Sequence, residues 1–148
     1  MFDSLEFKKV TTTGRATSND PVSITHSFKT KKNEIMFRLS RDVMDKCDFK
    51  YHDKVHILFA ADDTVCRIIK SDQAGAVTLS QQIKGNENSA GLVRLTYKSS
   101  LPNFLEKESK DKILDRVRYV HEDDKIQYDS GAVTFQLKLV DTDVKEEK

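Results

Sequence analysis

A chain of 148 residues with 37% hydrophobic content can bury a real core in one domain, which excludes a wholly disordered chain. No apolar run approaches the roughly 20 residues that cross a bilayer, and Met1-Phe2-Asp3 shows no signal-peptide pattern, so a cytoplasmic protein without a membrane partner is expected. A formal net charge of +1 argues against a strongly basic, sequence-indifferent nucleic-acid binder.

In chain order, Leu5, Phe7 and Val10 give a first strand that ends in Thr-Thr-Thr-Gly-Arg at 11–15, where Gly14 makes the turn. Loop residues 17–21 follow. Val22, Ile24, His26 and Phe28 then alternate as a strand, and the polar hairpin 29–33 returns the chain into Ile35, Phe37 and Leu39. Ser40 is placed to cap a short helix over 41–48, with Asp42 in its first turn and Val43 and Cys47 one helical turn apart. Val55, Ile57 and Phe59 alternate next, and Ala60-Ala61-Asp62-Asp63 joins them to Val65, Arg67 and Ile69 as a hairpin. After a turn at 71–75, Ala76 to Leu79 is a short strand, and the polar stretch 85–89 separates two halves, about 1–84 and 90–140.

The second half opens with a strand at 92–97, then a helix over 101–107 entered through Ser100 and Pro102. Val117 and Tyr119 lead a strand into a turn at His121-Glu122-Asp123-Asp124, after which Ile126 and Tyr128 continue to the turn Asp129-Ser130-Gly131. Val133, Phe135, Leu137 and Leu139 form the last strand, and 141–148 reads as a charged, fraying tail. Residues 35–69 and 92–139 thus share the order strand, short helix, hairpin. A single β-rich domain over 1–140, with a possible internal duplication, follows from that grammar.

Phe7-Lys8-Lys9-Val10 with Gly14-Arg15, Ile35 to Ile69, Asp53-Lys54-Val55 and the acidic tip Asp62-Asp63 resemble the AbrB/MazE/SpoVT family of swapped-hairpin DNA-binding domains. The resemblance implies a mainly β, barrel-like core, swapped-hairpin or double-psi-like, with two short helices. It also implies dimerisation, here as a homodimer or an intramolecular pseudo-dimer, and a basic barrel surface that holds duplex DNA. Three departures are visible. Residues 16–34 intervene where the family passes directly from its Gly-Arg turn into the next strand, His52 replaces the usual glycine, and Met44 and Asp45 stand where arginines are common.

Residues 1–41 hold eight Lys or Arg against four Asp or Glu, so the expected phosphate grip consists of Lys8, Lys9, Arg15, Arg38 and Arg41. The same charges would serve as a guard on an exposed strand edge. Phe7, Phe28, Phe37 and Phe59 fall in alternating patterns and are expected in the core rather than on a stacking surface. Cys47, His52, His56 and Cys66 are zinc-ligand types, but both cysteines occupy apolar positions and His56 points opposite to Val55 and Ile57; no metal and no cofactor is expected. No nucleophile elbow, phosphate loop or dinucleotide fingerprint occurs, and Asp129-Ser130-Gly131 is turn chemistry. The sequence therefore points to a nonenzymatic DNA-binding regulator. The alternative is a phage-type or antitoxin-like module that binds and modulates a host protein.

Overall fold

Alternating apolar residues become strands in this computed structural model, which describes residues 20–29, 31–109 and 113–144. The strand expected at 5–10, the residues Lys8, Lys9 and Arg15, and positions 145–148 lie outside the described residues. The hairpin of β1 (Val22–Lys29) and β2 (Lys32–Leu39) pairs antiparallel from Val22 against Leu39 to Lys29 against Lys32. Its core-facing side carries Val22, Ile24, His26, Ile35, Phe37 and Leu39, all at most 1% exposed. Phe28 breaks the pattern at 50% exposed, because it sits at the hairpin end opposite Asn33, beyond the packed part of the core.

Helix α1 (Arg41–Lys46) starts where Ser40 accepts a hydrogen bond from the Val43 amide at 3.2 Å, satisfying one of the donors a helix leaves unpaired at its start. It ends two residues early, since Asp48 adopts φ 57 and turns the chain out of the helix. Ser40→Ala should cost about 1 kcal/mol. Thermal unfolding would register this, and an unchanged midpoint would mean that packing of Val43 and Met44 alone sets the helix.

β3 (Lys54–Ala60) and β4 (Val65–Lys70) form the expected hairpin. Its tip holds Ala61, Asp62 and Asp63 at φ 52, 57 and 64, a left-handed run that non-glycine residues adopt only at a cost. The expected strand at 76–79 divides into β5 (Val77–Thr78) and β6 (Ser80–Gln81) around the fully buried Leu79. β7 (Gly91–Thr96) follows.

Helix α2 (Phe104–Glu108) begins three residues later than the sequence suggests. Asn103, not Ser100, caps it by accepting from the Glu106 amide at 3.1 Å, and Pro102 favours an extended residue before it. β8 (Leu114–Asp129) runs unbroken through the expected turn at 121–124, which becomes a register shift between His121 and Ile126 with Asp124 at φ 56. β9 (Ala132–Val144) likewise continues through 141–144, expected as tail, because Asp141 and Asp143 pair with Arg118 and Arg116 in the β8 ladder.

Among the described residues the strands make one antiparallel sheet, in the order β5-β3-β4-β9-β8-β1-β2-β7-β6. It is mainly β as expected, but it is not closed into a barrel of either expected type. The reason lies in the would-be closing segment. β5 meets β3 at two positions and β6 meets β7 at two, so residues 77–81 join the sheet's two ends only at their tips. Those ends are nevertheless separated by Leu79 alone, which rolls the sheet around its core. The order strand, helix, hairpin recurs as β2-α1-β3-β4 and β7-α2-β8-β9, and like strands meet: β2 pairs with β7, and β4 with β9. One hydrophobic cluster, from Val22 to Phe135, runs through both units. No helix among the described residues is long and apolar enough to cross a membrane.

Candidate interaction surface

Strand alternation puts Arg38 on the outer face of β2, opposite the core-facing Phe37 and Leu39. Its Nε donates to Gln82 Oε1 at 3.1 Å. Burial, then the charge of Arg118, draws the Arg38 pKa below its ordinary value, with Asp20 partly opposing. Arg41 stands in the first turn of α1, where it meets Asp45 at 3.0 Å and lies 5.5 Å from the centre of the Tyr51 ring. The two expected DNA contacts among the described residues are thus held by separate local partners rather than aimed at a common point.

Lateral pairing assembles a row the sequence does not reveal: Arg94 lies beside Met36, Met36 beside Thr25, and Thr25 beside Arg118. A parallel row runs Thr96, Glu34, Ser27, Arg116. This is an arginine-bearing face, yet carboxylates answer its cations. Arg118 meets Asp20 at 3.0 Å, Arg116 meets Asp141 at 2.9 Å and Asp143 at 3.6 Å, and Arg94 meets Glu34 at 3.9 Å. Strand periodicity alone marks Arg94, Arg116 and Arg118 as solvent-side residues; their adjacency depends on strand order.

The thiols of Cys47 and Cys66 are buried at the end of α1 and within β4, and burial raises both pKa values. They are poor nucleophiles in these surroundings. Among the described residues no group of three or more His, Cys, Asp or Glu is arranged to hold a metal.

A groove of about 420 Å³ opens where the β1–β2 hairpin, α2 and the start of β8 converge. Leu105 and Leu114 are buried in its floor, while Phe28 and Ile113 flank it at 50% and 66% exposed. Asp115 borders the same groove, and its Oδ1 is buried without a hydrogen-bond donor among the described residues. An apolar cleft rimmed by the exposed carboxylate of Glu106 suits a ligand that brings an apolar group and a cationic or N–H donor together. Comparison with protein-family models, with curated protein sequences and with solved structures finds no match.

Proposed function

We propose that the chain is a nonenzymatic interaction module that holds another protein in the groove between Phe28 and Ile113. One observation carries the reading: two large apolar side chains, Phe28 and Ile113, stand exposed on either side of one groove. Leaving such surface exposed forgoes about 25 cal/mol per Å² of apolar area, and a partner that covers it recovers that free energy. Aromatic anchors in desolvated clefts are the usual centres of protein interfaces. The fitting partner segment presents an apolar residue next to a lysine or arginine that can meet the exposed carboxylate of Glu106 on the groove's rim. A phage-type or antitoxin-like factor that occupies a host protein would use such a surface. In a pull-down, the tagged chain should retain one stoichiometric protein, and Phe28→Ser with Ile113→Ser should lose it. Absence of any stoichiometric protein with the unaltered chain would sink the reading.

A second reading, an AbrB-like DNA-binding regulator, is favoured by the basic excess in residues 1–41 and by the repeated strand, helix, hairpin order. Its grip would consist of Lys8, Lys9 and Arg15 with Arg38 and Arg41. Duplex affinity should then fall steeply with salt, and replacing Lys8, Lys9 and Arg15 together by Ala should flatten that slope. No duplex binding at low salt would remove this reading and leave the first.

A further inference from the structure

Among the described residues the rolled sheet leaves several strand edges open, and one of them is unguarded. β5 covers β3 only at Lys54 and Val55, so on that side residues 56–60 have no strand partner among the described residues. The Leu79 amide donates to Asp53 O on the β5 side, and the Ser71 amide donates to Lys54 O on the other. Alternation then turns the N–H and C=O of Ile57 and Phe59 toward the open side. The sequence of this edge is His56-Ile57-Leu58-Phe59-Ala60, with no formal charge. Leu58 is 49% exposed on the outer face, beside a groove of about 400 Å³ that Ala60, Val65 and Arg67 also line.

Open stretches elsewhere carry protection. β7 beyond β6 presents Arg94, and β9 beyond β4 presents Lys138, Asp141 and Asp143. In β9 the ladder passes from Leu139 opposite Tyr119 to Asp141 opposite Arg118, so Val140 bulges and disturbs the edge. Charges and bulges are the usual guards against strand pairing, and β3 has neither.

We infer that the β3 edge pairs with the β3 edge of a second copy of this chain. A two-fold axis between antiparallel strands sets one residue against its own copy, and Leu58 is favoured: an axis at Ile57 would set Phe59 against Val55, already covered by β5, and one at Phe59 would set Ile57 against Ala61 in the hairpin tip. With the axis at Leu58, Leu58 faces Leu58, Ile57 faces Phe59 of the second copy, and His56 faces Ala60. Every cross-strand pair is then free of like charge, and nearly all are apolar. The parity also agrees: Ile57 and Phe59 are the residues with open backbone groups, and this register lets them exchange four hydrogen bonds, two for each related pair. Next to His56 the turn at Gln73 to Ala76 bounds the edge, which confines the ladder to the centre of the strand.

Light scattering after size exclusion should find a dimer over about 1–100 μM. Leu58→Lys and Leu58→Glu should each weaken dimerisation at least tenfold by setting like charges across the axis. An equimolar mixture of the two should restore a dimer, because residue 58 then faces its opposite. Val140→Lys on β9 should change nothing. Leu58→Cys gives a second readout, since directly opposed residues in this type of pair lie about 4.5 Å apart and can close a disulfide between copies. A monomer at every concentration, a Leu58→Lys dimer of unchanged strength, a mixture that stays monomeric, or a Leu58→Cys chain that fails to cross-link would each overturn the inference. Because the Phe28–Ile113 groove lies outside this edge, a monomeric protein leaves the partner reading standing.

Discussion

Phe104→Ala should remove about 3–5 kcal/mol of stability, whereas Phe28→Ala should cost only a few tenths. Phe104 is fully buried, and its ring lies 5.0 Å from that of Tyr119, 5.7 Å from that of Phe59 and 6.3 Å from that of His26. It anchors α2 to the sheet from inside, assisted by Tyr119, whose hydroxyl donates to Glu108 at 2.9 Å. Truncation would leave a cavity that these rings cannot collapse into without losing their edge contacts. Since whole domains are stable by only about 5–15 kcal/mol, the variant should sit near the limit of folding. Urea titration gives the answer through the midpoint, with an unchanged slope showing that both states keep their compactness. A loss below about 1 kcal/mol for Phe104→Ala would mean that α2 is held by something other than this ring.

Stability should fall as pH drops below about 6.5, with His26 as a principal contributor. The ring is fully buried, stacked on Tyr97 with centroids 5.3 Å apart, and its Nε2–H donates to Asn33 Oδ1 at 2.7 Å. Nδ1 has no hydrogen-bond partner among the described residues. Burial therefore lowers the pKa below 6.5, with the Asn33 bond partly opposing. Above 6.5 the ring is neutral in both folded and unfolded chains and contributes no slope. Between 6.5 and the lower folded value the unfolded chain takes up a proton that the folded chain refuses, so each unit of acidification costs up to about 1.4 kcal/mol. Below the folded value both states are charged and the slope from this group ends. His26→Gln keeps a donor for Asn33 and removes the titration. Unfolding free energy measured from pH 7.5 to 5 should show a flatter profile in the variant; an unchanged slope would assign the acid sensitivity to other groups.

Local chemistry made much of the fold legible. Alternation identified β1 to β4, β7 and the start of β9, and Ser40 announced α1 because a cap acts within three residues. Local signals misled where a tertiary partner outweighed them. His121 to Asp124 has turn composition, but the neighbouring β9 strand absorbs it as an irregularity inside one long ladder. Asp141 and Asp143 look like tail residues until Arg116 stands opposite. Phe28 reads as core by alternation and is exposed because the strand outlasts the core it lines.

The candidate surfaces divide in the same way. The sequence offers Arg38 and Arg41 as candidate cations and sets Asp45 where arginines are common, while the structure shows Asp45 answering Arg41 one helical turn away. The pairing of Arg118 with Asp20, 98 positions apart, could not be seen, nor could the meeting of Phe28 with Ile113 across a groove. By itself the sequence determined periodicity, caps, turns and the near-neutral charge, since these depend on neighbours a few bonds away. Strand order was decided only in three dimensions, and with it which cations are answered, which edge of β3 stays open and where apolar surface remains in water. Backbone hydrogen bonds between strands are alike whatever the side chains, so the choice of lateral partner rests on burial summed over the whole core.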